Sequence, residues 1–200
     1  YQGGHIQKKH LLTLRRGETV FDNVADRHVL LEQEMVRLRS LPQSTTCIFF
    51  DAPSTSCRIY AHRPLECRLF ACWDVQDLVQ AYARERLARL DMISPHSALG
   101  AIISEHEDLC SWDRIQQCLA QAKQEQQGEA VRELEQMLRV DQGMRTALAD
   151  RTRAGEAELE FLFGRSLHRT LPAHGVRVSP SAGRYRVHIP ATEREEDSGP

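Results

Sequence analysis

The chain has 200 residues, a net charge of −2, 41% hydrophobic side chains and 27% charged ones. That composition belongs to a globular fold and excludes a chain disordered throughout. The near-neutral balance argues against a surface that coats nucleic acid, and no apolar run approaches the ~20 residues of a membrane helix. Aromatic residues make up 6%, so the core is expected from Leu, Val, Ile and Ala.

Residues 1–16 read as an irregular lead-in broken by Gly3-Gly4. From Arg27 to Arg39 the spacing of Val29, Leu30, Val36 and Leu38 predicts a helix, closed by Pro42. Two β-prone runs follow, Cys47-Ile48-Phe49-Phe50 and Cys57-Arg58-Ile59-Tyr60, around a turn-forming stretch over 51–56. Asp74 then caps a helix carrying Val75, Leu78, Val79, Tyr82, Leu87 and Leu90, and Ser94-Pro95 punctuates it. A helix from about Glu105 places Leu109, Trp112, Ile115 and Leu119 on one face. After a break at Gln127-Gly128, Val131, Leu134, Met137 and Leu138 begin another, broken or ended near Gly143. Two such segments joined by a short break predict an antiparallel helical hairpin. Glu156 to Leu167 reads as the last helix, and Val176–Val178 with Tyr185–Ile189 as a second β-hairpin. The charged residues 191–200 lack apolar anchors and read as a disordered tail.

Six cysteines are present, and four fall in one window with the pattern Cys47-x9-Cys57-x9-Cys67-x4-Cys72. No export signal is visible, so the chain is expected in the cytoplasm. Clustered cysteines there read as metal ligands or redox thiols rather than disulfides. Four thiolates are what a closed zinc site or an iron–sulfur cluster needs. Either centre carries net negative charge, and Arg58, Arg63 and Arg68, interleaved with the cysteines, are expected to offset it from just outside the ligand shell. In a regular hairpin Phe50 faces Cys57 and Cys47 faces Tyr60, which separates the two cysteines by about 10 Å along the ladder. Cys57, Cys67 and Cys72 are therefore the firmer ligands. Cys47 joins them if the loop is irregular.

The string Cys57-Arg58-Ile59-Tyr60-Ala61-His62-Arg63-Pro64-Leu65-Glu66-Cys67-Arg68-Leu69-Phe70, with Cys47–Phe50 before it and Cys72 after it, resembles the second half of the YkgJ-type cysteine-cluster family. Its recurrent pattern C-x-I-Y-x-x-R-P-x-x-C-R-x-F is complete here, and Leu12 to Asn23 resembles the segment preceding it in some members. The resemblance implies chelation of zinc or iron and no defined reaction. A related cysteine arrangement in flagellin lysine methylases makes an iron–sulfur redox or methylase-like enzyme one alternative. A helical interaction module whose metal site has decayed is another. The family opens with a C-x-x-C-x-x-C-C cluster, whereas this chain has no cysteine before Cys47. By order along the chain that cluster falls upstream of Tyr1, which leaves the ligand set here incomplete; otherwise the site is lost or is completed by His62.

His62 otherwise reads as a solvent-facing histidine. Cys110 and Cys118, eight apart on one expected helix and about 12 Å apart by its rise, read as core thiols. Glu105-His106-Glu107-Asp108 reads as an acidic helix N-terminus, and His96 is set aside with it. His168 and His174 read as surface histidines. Arg177, Arg184 and Arg186 form a basic patch with Tyr185 alone interleaved, so nucleic acid is not expected there. No G-x-S-x-G, H-E-x-x-H or P-loop occurs.

The expected architecture is mainly α with a small irregular β/cysteine knuckle, an α+β class. Its parts are a cysteine-cluster domain over 1–92, a helical region with a C-terminal β-hairpin over 93–190, and the tail 191–200. The expected cofactor is zinc or an iron–sulfur cluster, and the helical region is a surface for a protein partner.

Overall fold

The structure is a computed structural model that describes residues 3–22, 25–71, 73–82, 86–125, 128–181 and 183–190. In chain order the strands are β1 (Leu11–Leu14), β2 (Thr19–Asp22), β3 (Arg27–Leu30), β4 (Met35–Leu38), β5 (Phe50–Asp51) and β6 (Ser56–Cys57). The helices follow as α1 (Leu65–Leu69), α2 (Gln76–Tyr82), α3 (Arg89–Met92), α4 (Ala98–Leu109), α5 (Trp112–Glu125), α6 (Glu129–Thr152), α7 (Glu156–Phe163) and α8 (Leu167–Thr170). Strands β7 (Arg177–Ser181) and β8 (Arg184–His188) close the series. The class is the expected one, mainly helical with small antiparallel strand pairs. The chain divides into two compact units, Tyr1–Ser104 with Leu148–Arg165, and Glu105–Ala147 with Ser166–Pro200. No helix among the described residues is long and apolar enough to cross a membrane.

In the first unit β1 pairs with β4 and β2 with β3, both antiparallel. The register carries through from Leu14↔Met35 to Thr19↔Leu30. Gly17 N donates to Leu31 O at 2.7 Å and Leu31 N to Glu18 O at 3.0 Å across the interruption. Strands β1 to β4 thus share one continuous antiparallel register, interrupted between the two ladders. This corrects two expectations: 27–39 is not a helix, and the lead-in 1–16 holds β1. The apolar spacing in 27–39 is also compatible with two short strands. What decides between them is a partner strand well upstream, which supplies the ladder hydrogen bonds and buries Leu11, Leu14 and Leu31.

Helix α7 packs on β1, with Leu159 to Phe163 all buried. Thr13 Oγ1 donates to Phe161 O at 2.6 Å, and Arg39 pairs with Glu160 at 2.5 Å. Arg89, buried, donates its backbone N at 2.7 Å and its Nε at 2.9 Å to Glu34 Oε1. Charged groups taken out of water need such saturated bonding. Asp74 caps α2 as expected, its Oδ1 accepting Gln76 N at 2.9 Å. The helix ends at Tyr82, so Leu87 and Leu90 do not belong to it.

Ser94-Pro95 is followed by α4, whose first turn lies against that bend. A Cβ on Gly100 would meet Ser94 O at 2.4 Å and Pro95 O at 2.7 Å. Both obstacles are backbone, which cannot rotate away. Gly100→Ala is expected to destabilise by about 2 kcal/mol. Urea unfolding checks this, and a loss within about 0.5 kcal/mol would mean the bend yields freely.

The helix expected from Glu105 instead begins at Ala98, in the first unit, and stops at Leu109 in the second, where α5 starts afresh at Trp112. Ser111 interrupts it by capping: its carbonyl accepts Ile115 N at 3.0 Å and its Oγ accepts Arg114 N at 3.4 Å. Glu105 to Asp108 therefore sit in the last turns of α4, not at a helix N-terminus. Contacts His106 to Asp141, Cys110 to Met137 and Arg114 to Glu133 step by four residues in opposite directions, which is the expected antiparallel helical hairpin. Gly143 does not break α6. Leu134, Met137, Leu138 and Asp141 are buried along it, and that packing outweighs the ~1 kcal/mol penalty of an internal glycine. The core gathers Trp112, Ile115, Leu134, Leu138, Leu167 and Val187, with α8 and the β7–β8 hairpin laid over the helices. The last expected helix divides in two at Gly164, between α7 and α8.

Candidate metal centre

Cys47 sits at the end of a turn that returns the chain to β4. Leu41 N donates to Thr46 O at 2.8 Å, Ser40 bridges to Cys47, and Ile48 N donates to Arg39 O at 3.1 Å. Phe50 N donates to Cys47 O at 2.9 Å, which curls residues 47–50 into a turn rather than a strand. Strand β5 begins at Phe50, and the ladder pairs Phe50 with Cys57 and Asp51 with Ser56. The register expected at Phe50 is present, but the ladder is two rungs long. Cys47 is not held opposite Tyr60. Phe49 and Ile59 turn into the core while Phe50 and Tyr60 stay exposed. The Phe49 amide points at the Cys47 sulfur, 3.5 Å away.

Cys57 ends β6. A 3-10 turn over Tyr60–His62 follows, and Pro64 sets the entry to α1, where Arg68 N donates to Pro64 O at 3.2 Å. Pro64 is the residue before the first turn, and its ring fixes φ at −56° there. Cys67 lies on α1.

Cys47 and Cys57 are half-buried, Cys67 is exposed as a residue, and all three are free thiols. They share one electrostatic neighbourhood. Burial pushes the Cys67 thiol above the ordinary cysteine range, Cys47, Glu66 and Cys57 push it further, and Arg63 opposes them. Burial leads although the residue as a whole is exposed. Cys72 lies outside the described residues.

The arginines differ in what they touch. Arg63 lies over the Tyr60 ring at 3.9 Å and acts on the Cys67 thiol. The Arg58 guanidinium donates to Ile48 O, closing the irregular turn. Arg68 is exposed on α1. His62 is exposed and stacks on His5 with ring centroids 3.6 Å apart.

His10 was not anticipated. Its ring meets Phe49 edge-on at 4.8 Å, and Nδ1 accepts Gln7 N at 3.1 Å, which leaves Nε2 to carry the proton of the neutral ring. Burial, then Lys9 and Arg58, hold its pKa below the ordinary histidine value. It stands far from the cysteine window in sequence, and nothing local marks it.

Other sequence candidates are packing residues. Cys110 and Cys118 are buried core thiols, although they do not share a helix: Cys110 lies in the bend between α4 and α5, and Cys118 lies on α5. Burial, then Glu133, pushes the Cys118 thiol up to about 11. His106 is fully buried and donates to Asp141. His168 stacks on Tyr185 at 5.0 Å and His174 packs on Trp112 at 5.3 Å, so both are half-buried rather than surface histidines.

Thiols in mutual electrostatic reach suit zinc or iron in kind. Yet no group of three His, Cys, Asp or Glu side chains among the described residues stands close enough to hold a metal ion. The donors match the chemistry without forming a finished ligand shell.

Residues 8–87 match the family model CxxCxxCC, described as "Putative zinc- or iron-chelating domain". That span runs from just before β1 to the residues after α2, and includes all four cysteines of the window. The string C-x-x-C-x-x-C-C does not occur in the 200 residues. No curated protein and no solved structure matches the chain.

Proposed function

We propose that residues 8–87, which match the zinc- or iron-chelating domain model, bind zinc or iron through the thiolates of Cys47, Cys57, Cys67 and Cys72. The observation that supports this reading is that Cys47 and Cys57 both lie near enough to the Cys67 thiol to raise its pKa, inside the span that matches the chelating-domain model. Like groups crowded together resist ionising, and a cation among them removes that penalty. Arg63, pinned over Tyr60, is the arginine best placed to offset the charge of the loaded site, with Arg58 and Arg68 in lesser roles. Zinc would hold the knuckle together, whereas an iron–sulfur centre would supply electron transfer. The free thiols fit a reducing compartment, the cytoplasm.

The test is anaerobic titration of the purified chain with cobalt(II) and zinc, followed by thiolate-to-cobalt absorption and competition. One equivalent is expected. Cys57→Ser and Cys67→Ser should each weaken binding by at least about tenfold. Cys110→Ser and Cys118→Ser should leave it unchanged. Binding that survives both window substitutions would sink this ligand set. Iron reconstitution separates the metals: a brown product names iron–sulfur, and a colourless protein with stoichiometric zinc rejects it.

A further inference from the structure

Pairs Arg177↔His188, Ser179↔Arg186 and Ser181↔Arg184 put three arginines and a histidine on one face of the β7–β8 hairpin. Val178, Tyr185 and Val187 turn the other way, against the core. Arg186 is engaged by Glu135 at 3.1 Å. Arg177 and Arg184 are exposed, and among the described residues neither makes an ion pair. Shortly beyond β8 the sequence reads Glu193-Arg194-Glu195-Glu196-Asp197, four carboxylates against one arginine, outside the described residues.

We propose that the arginine face of this hairpin is the docking surface for the chain's own acidic segment, residues 193–197. Reach permits it. An extended chain covers about 3.3 Å per residue, and a five-residue strand spans about 17 Å. Glu193 and Asp197 follow His188 by five and nine residues, enough to run back along the strand. Complementarity favours it, since the Arg177 and Arg184 guanidinium groups, without an ion pair among the described residues, share one face, and the carboxylates begin five residues after His188. Connection strengthens it: exposed ion pairs are individually weak, but a short tether gives an effective concentration of about millimolar. An external acidic partner of this face must first displace the segment, and the competition is screened by salt.

The test reads the arginine Nε–Hε signals by NMR in the full chain and in a Glu193→Gln, Glu195→Gln, Glu196→Gln, Asp197→Asn variant, which leaves the folded core untouched. At low salt the Arg177 and Arg184 signals should differ between the two proteins, while that of Arg139, exposed on α6, coincides. At about 1 M salt, where the Debye length is ~3 Å, all three should coincide. Coincident Arg177 and Arg184 signals at low salt would overturn the proposal. So would a response seen only when a poly-glutamate peptide is added in trans, which would give the face to an outside partner.

Discussion

Replacing Asp141 by Asn is expected to lower the unfolding free energy by about 3–5 kcal/mol, the range for removing one partner of a buried ion pair. Asp141 is almost wholly buried on α6 and holds three elements at once. Its Oδ1 accepts His106 Nε2 from α4 and Arg145 Nε from one turn along α6, both at 2.9 Å. Its Oδ2 accepts the Leu167 amide at the start of α8, at 3.1 Å. Asparagine keeps the shape and removes the negative charge that the Arg145 guanidinium, itself 6% exposed, pairs with. Urea unfolding at neutral pH reads the loss directly, and a change below about 1 kcal/mol would show that the pair is not structural.

The same carboxylate gives an acid signature. Burial pushes its pKa up, but His106, Arg145 and the Leu167 amide together outweigh burial and hold it below the ordinary aspartate value. A carboxyl lowered in the folded state contributes stability that is present above its unfolded pKa, near 4, and lost as pH falls through the folded one. The gap in stability between the parent and Asp141→Asn should therefore stay wide from neutral pH down to about 4 and narrow below it. A gap of constant width down to pH 2 would mean that another group carries the effect.

Gly164→Ala is the second large effect, expected at about 3 kcal/mol. Gly164 ends α7 at φ +73° and ψ −170°, a region essentially restricted to glycine and costing about 1–3 kcal/mol for any other residue. A Cβ there would also stand 2.7 Å from Arg15 Cδ and 2.9 Å from Arg15 Cγ. Arg15 is fully buried beside Glu18, so it cannot swing into solvent. Gly175 supplies the contrast. It has φ +80°, yet a Cβ would meet nothing within 4 Å. Gly175→Ala should cost about 1 kcal/mol, from backbone strain alone. Equal losses at the two glycines would show that Arg15 moves aside.

The cysteine window was legible because its signals are local. Residue types, the R-P turn and the Phe50–Cys57 register all lie within a few residues of one another. The placement of Cys47 was not legible. It depends on the Ser40 bridge and on Arg58 reaching Ile48, which convert an expected strand into a turn. His10 was hidden for a similar reason, since its neighbour Phe49 comes from a distant stretch of chain.

Sequence alone determined the helical second half, the pairing of its helices and the closing β-hairpin, because each is written in short-range periodicity or turn residues. Tertiary structure decided the rest. It made strands of 27–39 by giving them partners at 11–22, kept α6 running through Gly143 by burying one side, and drew His106 to Asp141 across the helical hairpin. In each case the choice rests on free energy from contacts between residues far apart in the chain, which no local window contains.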